Sequence, residues 1–308
     1  MNADLLASSL DKLAADFDAI EWDRRPTPDG HLLQMWPGEP DEEIKVCVCR
    51  RVDIREPFHR QDFFFLNYAY KGDYGAISEK YDNRITVRED SCYIGRPNAD
   101  YAIYGHNAEE VVIIGVLIQR ESFLRNYFSI LAADSNMFRF FLTQDVGGYE
   151  DEYLRLDFGR DSLARNILEW MVVRYAEELD DVQQVLRPMT VSLLLEVARE
   201  RRAQRKDAPG KKISDRFVRY IEDHFDHVTL ADLGAHFSYH PNYVSTVLAK
   251  ETGKTFSELV LEQRMFRAQT LLQSTDLSVA EVAAMLGYSN ASNFHKAYKG
   301  YFGTTPRG

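Results

Sequence analysis

The feature that most constrains this 308-residue chain is a repeat in its last hundred residues. In the first copy Thr229 precedes Leu230, Leu233 and Phe237; in the second Ser278 precedes Val279, Val282, Ala283 and Leu286. Each reads as a short helix opened by a hydroxyl residue, with an acid three positions on, Asp232 and Glu281. Ser-x-x-Glu is a capping box, in which the two side chains satisfy backbone N–H groups that a helix start leaves unpaired, and Thr-x-x-Asp is its weaker relative. A tight turn follows each, Ser238-Tyr239-His240 and Gly287-Tyr288-Ser289, and then a further helix, 241–250 and 291–299. Val244 and Leu248 mark the inward face of one, Phe294 and Tyr298 that of the other. Helix, short turn, helix is the helix-turn-helix plan, whose second member is a rod thin enough for the DNA major groove.

Between the copies, Thr255 and Glu258 form a full capping box ahead of Phe256, Leu259, Val260, Met265, Ala268, Leu271 and Leu272, predicting a helix over about 256–273. At 1.5 Å per residue it is about 27 Å long. A spacer of that size suits two reading helices set about one DNA turn, ~34 Å, apart. The stretch carries Leu230, Leu233 and Phe237, PNYVS at 241–245, KETGKTF at 250–256, RMFRAQTLL at 264–272, LSVAEVAAMLGY at 277–288 and FGTTP at 302–306. With these motifs it resembles the DNA-binding domain of the AraC-type (AraC/XylS) transcription regulators. Two positions depart from the family pattern: Gly234, where Ala is usual and which costs about 1 kcal/mol of helix propensity, and Thr246, where Arg is frequent.

Groove-facing positions are those that do not point inward. On the first reading helix these are Asn242, Ser245 and Thr246; on the second, Ser292, His295 and Lys296, with Asn293 beside them. Asn pairs with adenine edges and Lys with guanine or phosphate. Lys250, Lys254 and Lys299 lie further along, where phosphate contacts are expected. For each residue the competing reading is a solvated helix face. Charge follows the same division. The net charge is −11, but residues 199–308 carry 16 basic against 12 acidic side chains, and the preceding 198 carry 21 against 36.

The N-terminal part has a different texture. An amphipathic helix is expected over 4–20, on Leu5, Leu6, Leu10, Leu13, Phe17 and Ile20. From about 31 to 120, runs such as IKVCVCRRV, FFFLNYAY, SCYIG and VVIIGVLI alternate with turn signals, as in a sandwich or barrel. Pro57-Phe58-His59, FFFLNYAYKG at 63–72 and Arg96-Pro97 resemble the cupin-like sensor domain that precedes this DNA-binding domain in many family members. Helices are expected at 161–178 and 188–205, with Pro188 in the first turn of the second and a linker around Pro209-Gly210. The chain thus reads as α+β: a cupin-like β-barrel with flanking helices over 1–160, a helical dimerisation region and linker over 161–212, and an all-α domain with two helix-turn-helix units over 213–308. The resemblance implies homodimers. Ile167, Trp170, Met171, Arg174, Leu193, Leu194 and Val197 are candidates for the interface, unless they pack on their own barrel.

Eleven aromatic residues lie between Phe58 and Tyr104, about twice the density of the whole chain. Two readings stay open: a small-molecule effector pocket involving His59, Tyr68, Tyr70, Tyr93 and Tyr104, or simply the core of the barrel. Metal-binding cupins hold their ion with a His-x-His pair, a Glu and a further His; here Gln61 follows His59 and His106 is the other nearby histidine, so no metal, cofactor or catalytic residue is expected. Cys47, Cys49 and Cys92 give neither a disulfide framework nor the four-cysteine zinc cluster of a DNA-repair methyltransferase. The start MNADLLASSL has no basic leader and no stretch suits a membrane span, so a cytoplasmic location without membrane contact is expected. Double-stranded DNA is the expected partner, with RNA polymerase a further one. A metal-dependent cupin enzyme fused to a DNA-binding module, and a DNA binder controlled by a partner protein, are the competing functions.

Overall fold

The computed structural model describes residues 2–78, 83–105, 110–127, 140, 153–206, 212–274 and 277–306. They divide into two compact units, one built from residues up to Lys206 and the other from those beyond it.

The N-terminal unit opens with α1 (Ala3–Asp18), whose first turn is capped by the Asn2 side chain accepting from the Asp4 N–H at 3.0 Å. Strands follow: β1 (Arg24–Pro26), β2 (Leu32–Gln34), β3 (Ile44–Arg51), β4 (Arg60–Gln61), β5 (Phe64–Lys71), β6 (Tyr74–Ser78), β7 (Asn83–Val87), β8 (Ser91–Gly95), β9 (Tyr101–Gly105), β10 (Val111–Ile118) and β11 (Tyr153–Asp157). The run VVIIGVLI explains the centre of the fold. All eight residues of β10 are buried, and β10 pairs antiparallel with β3 on one edge and β5 on the other. A side chain buried in this way contributes about 1.5–3 kcal/mol, and no amphipathic edge strand would carry apolar residues on both faces.

The full order of this sheet is β11-β8-β5-β10-β3, beside three-stranded sheets β7-β6-β9 and β1-β2-β4. The α+β class and the sheet-rich N-terminal part match the expectation. Among the described residues the strands form three sheets and not one closed ring. Strand β11 lies beyond the strand-rich stretch expected over about 31–120. Its burial alternates along Tyr153–Asp157 as a half-buried strand's does, and it pairs in register with β8.

Helix α2 (Arg120–Ser122) runs into a π-helical turn at Phe123–Tyr127. Then come α3 (Leu163–Ala176) and α4 (Val182–Lys206). Pro188 lies inside α4, not in its first turn, because the helix starts six residues earlier. Tertiary contacts hold that early turn. The Gln183 side chain accepts from the Ile44 N–H and donates to the Ile44 carbonyl, and Arg187 forks onto Glu43 at 2.9 Å through two nitrogens. Helix α3 packs on α1, β3 and α4, and α4 packs on β3 and β11. Of the residues considered for a dimer interface, Met171, Leu193, Leu194 and Val197 are buried within this unit, whereas Trp170 and Arg174 are exposed. His106 and Pro209-Gly210 lie outside the described residues.

The C-terminal unit is entirely helical among the described residues: α5 (Ile213–Asp223), α6 (Leu230–Phe237), α7 (Pro241–Thr252), α8 (Phe256–Ser274), α9 (Val279–Met285) and α10 (Ala291–Phe302). Phe217 and Ile221 of α5 meet Leu233, Val244 and Leu248 in one core, with Leu259 and Val260 of α8 against it. Phe294, Val282, Ala283 and Leu286 are buried in the second copy, as are Met265, Ala268 and Leu271 on α8. No helix of the described residues is long and apolar enough to cross a membrane.

Candidate nucleic-acid interface

The two copies of the repeat are built alike. Thr229 and Asp232 exchange bonds at the start of α6, the Thr229 N–H donating to Asp232 at 3.0 Å and the Asp232 N–H to Thr229 Oγ1 at 3.1 Å. Ser278 and Glu281 do the same for α9 at 2.7 and 3.2 Å, and Thr255 and Glu258 for α8 at 2.7 and 3.3 Å. These bonds favour the ionised carboxylates. The Thr229 hydroxyl and backbone hold Asp232 below the usual range, the Thr255 backbone and hydroxyl do so for Glu258, and the Ser278 hydroxyl and backbone for Glu281. Thr-x-x-Asp thus works here with the same reciprocal geometry as Ser-x-x-Glu.

Both turns leave their first helix through a left-handed residue, Ser238 at φ 59° and Gly287 at φ 75°. The next residue folds back in each: the Tyr239 N–H donates to the Gly234 carbonyl at 2.8 Å and the Tyr288 N–H to the Ala283 carbonyl at 3.0 Å. A Cβ on Gly234 would lie 2.7 Å from the Tyr239 carbonyl oxygen. The glycine that departs from the family pattern therefore lets this turn close tightly, in return for its lost helix propensity. The second reading helix starts one residue later after its left-handed residue than the first does. Both end on a glycine with positive φ, Gly253 and Gly303.

On α7 the structure exposes Asn242 and Thr246, while Ser245 is half-buried. The Thr246 hydroxyl donates to the Asn242 carbonyl at 2.8 Å, which leaves only its acceptor side for DNA. Two residues that sequence reasoning missed stand out here: Tyr239 and Tyr243 are 41% and 46% exposed, with ring centroids 4.9 Å apart. They present an apolar, stackable surface at the start of the reading helix that carries no net charge. On α10, Ser292, Asn293, His295, Lys296 and Lys299 are all exposed. Lys250, Lys296 and Lys299 enter no ion pair among the described residues. Lys254 differs: its ammonium is 2.8 and 2.6 Å from the two Glu262 oxygens, so an expected phosphate contact is already paired within the chain.

What joins the copies was also missed. Arg264 on α8 donates through Nε to the Phe225 carbonyl at 2.8 Å and through a terminal nitrogen to the Asp226 carbonyl at 2.9 Å, and lies 5.2 Å from the Tyr288 ring centre. Gly287 sits so close to Asp226 that a Cβ would fall 1.7 Å from its carbonyl oxygen. Arg267, 2% exposed, donates to the Glu222 carbonyl at 3.1 Å and stacks 3.8 Å above Phe225. The linker that opens the first copy is thereby clasped by α8 and by the turn of the second. Both arginines stand in the quoted RMFRAQTLL run, but their partners lie about forty residues away, where no local pattern points.

The residues considered for an effector pocket are dispersed through the N-terminal unit. Tyr68 donates to Asp90 at 2.9 Å, and Tyr70 donates to Glu169 at 3.1 Å beneath the Arg165 guanidinium, which also pairs with Asp90. Tyr93 stacks on Tyr153 with centroids 4.9 Å apart, and the Tyr104 ring covers Gly75. His59 is 1% exposed; its Nδ1–H faces the Pro57 carbonyl at 2.9 Å, and burial lowers its pKa. The space nearby, lined by Gln34, Gln61, Asn67 and Tyr101 among others, is about 40 Å³, room for about one water. Burial pushes the Cys47 thiol up to about 12 and Cys49 to about 11, as inert core thiols. No group of three or more metal-ligating side chains occurs among the described residues.

Comparison with known proteins bears on the helical unit. Residues 233–308 match the family described as a helix-turn-helix domain. The uncharacterized HTH-type transcriptional regulator YtdP of Bacillus subtilis (strain 168) is 38% identical over 103 residues, 33% of this chain and 13% of that protein. The regulatory protein PocR of Salmonella typhimurium is 36% identical over 91 residues, 29% of this chain and 30% of PocR. The matches thus span well under two thirds of these relatives. The solved C-terminal domain of AraT, a response regulator from Geobacillus stearothermophilus, is 31% identical over 32% of this chain and 84% of that domain, with a TM-score of 0.31.

Proposed function

Residues 233–308 form a helix-turn-helix domain of the AraC type, and from that premise we propose that the chain is a sequence-specific, double-stranded-DNA-binding transcription regulator, controlled by a small molecule held in its N-terminal unit. The observation that carries this reading is the pair of alike helix-turn-helix units, each presenting an exposed, polar reading helix, tied together by α8 and its arginines. In this reading α7 and α10 enter successive major grooves on one face of a duplex. Asn242, Ser245 and Thr246 with the Tyr239–Tyr243 pair read the first, by shape and apolar contact more than by charge. Ser292, Asn293, His295 and Lys296 read the second, while Lys250 and Lys299 hold phosphates.

Helix α8 supports this spacing. Its 19 residues make a rod of about 28 Å, close to the ~34 Å between neighbouring grooves. The regulator works as a homodimer, as two-fold pairing is the commonest assembly, with exposed Trp170 and Arg174 on α3 available for it. Contact with RNA polymerase belongs to the same reading. Gel-shift titration against fragments selected from random DNA tests it. Sequence-selective binding that falls steeply with salt is expected. Equal affinity for selected and scrambled duplexes would contradict it.

A further inference from the structure

A cleft of about 460 Å³ opens on the N-terminal unit, within the usual 300–1,000 Å³ of small-molecule sites. Its walls come from α1, the segment around residues 39–42, the start of β3 and the connection between α3 and α4. Leu13, Phe17, Ile20, Val46, Leu179 and Val182 make one side apolar. Leu179 is 53% exposed, an apolar side chain standing open to solvent. None of the five aromatic and histidine residues expected to form an effector pocket lines this cleft.

The polar side is strongly one-signed. Lys45 is the lining cation, and it is already engaged: its ammonium lies 3.5 Å from Glu42 and 3.2 Å from the Tyr175 hydroxyl, which itself donates to Glu42. Asp16, Glu39, Asp41 and Glu178 add four carboxylates. Lys12 approaches Glu178 at 3.1 Å, whereas Asp16, Glu39 and Asp41 enter no ion pair among the described residues. An anion would meet uncompensated like charge here. A neutral polyol would leave the apolar wall without a partner.

We propose that this cleft binds an amphipathic organic cation, a protonated amine or quaternary ammonium on an apolar body of small-molecule size. The apolar body lies along Leu13, Phe17 and Leu179, and the cationic head sits among the carboxylates that no cation of the described residues engages, Asp16, Glu39 and Asp41. The cleft joins α1 to the α3–α4 connection, so an occupant bridges elements that otherwise meet only in part. This inference rests on the regulator reading for its purpose, but the cleft chemistry is tested without DNA.

The experiment is calorimetric titration of the full chain with decyltrimethylammonium, and separately with decanoate, each below its micellar concentration. Saturable binding of one decyltrimethylammonium per chain is expected, with decanoate binding at least tenfold weaker. The D16N/D41N double variant changes only exposed carboxylates and should lose tenfold or more in cation affinity while its circular dichroism stays that of the parent. Non-saturating uptake, equal binding of decanoate, or an unchanged affinity in the folded double variant would overturn the proposal. Gel-shift titration of the same preparations without the cation separates the two claims. Selective DNA binding beside failed cation binding removes this site alone, whereas lost DNA selectivity removes the regulator reading.

Discussion

Gly287 and Ser238 hold the same place in the two turns, and substitutions there are expected to act in opposite directions. Gly287→Ala puts a side chain into a left-handed residue and against the Asp226 carbonyl, so it should destabilise the C-terminal unit by at least about 2 kcal/mol. Ser238→Gly relieves the same backbone strain with no such contact and should stabilise by up to about 1 kcal/mol. Denaturant midpoints followed by far-UV circular dichroism measure both. In the DNA-reading set the discriminating pair is Lys296 and Lys299. Lys296→Ala should cost about 1–3 kcal/mol of affinity for the selected site and relax preference at one base pair. Lys299→Ala should weaken all sequences alike and lower the salt slope by about 1. A Lys296→Ala protein with an unchanged footprint and affinity would remove that residue from base contact.

Among the elements, the three capped helix starts are those on which sequence and structure agree most closely, because a capping box is a four-residue device that needs no distant partner. Ser278→Ala should cost about 1 kcal/mol of the helical unit's stability. The capping acids also set a pH dependence. Their pKa values are lowered on folding, so their contribution is present above the ordinary carboxylate range, near pH 4, and is lost as pH falls through the folded values. An acid titration by circular dichroism should show the helical unit weakening below about pH 4; a flat profile down to pH 2 would contradict the caps. Legibility fades with separation along the chain. The helix-turn-helix pairs and β10 were readable from local pattern. The clasp of Arg264 and Arg267 on residues 222–226 was not, and neither was the use of Tyr68 and Tyr70 to anchor α3 through Asp90, Arg165 and Glu169. An aromatic cluster looks the same in sequence whether its hydroxyls face a ligand or a helix across the sheet. The early start of α4 likewise follows from Gln183 meeting Ile44 of β3 and Arg187 meeting Glu43 just before it, contacts that override proline's preference for a first turn.

For the whole molecule, the acidic excess of the sequence lies in the sheet-rich unit, whereas residues 207–308 carry 11 basic and 11 acidic side chains; the mild basic excess of residues 199–308 comes from the basic run at 199–206, the end of α4. Trp22, Trp36 and Trp170 all belong to the sheet-rich unit. Gly287→Ala should therefore shift the circular-dichroism transition while leaving the tryptophan-fluorescence midpoint in place; a common shift in both would mean the units unfold as one. The central claim is that a single duplex receives α7 and α10 together. Its most direct test is the selection of bound fragments from random DNA, followed by base-by-base scanning of the recovered site with the parent protein and with Lys296→Ala. The account predicts two blocks of preferred bases, centred about 10 base pairs apart, of which the lysine variant blurs one and spares the other. A single short block, or loss of both blocks together in a folded variant, would contradict it.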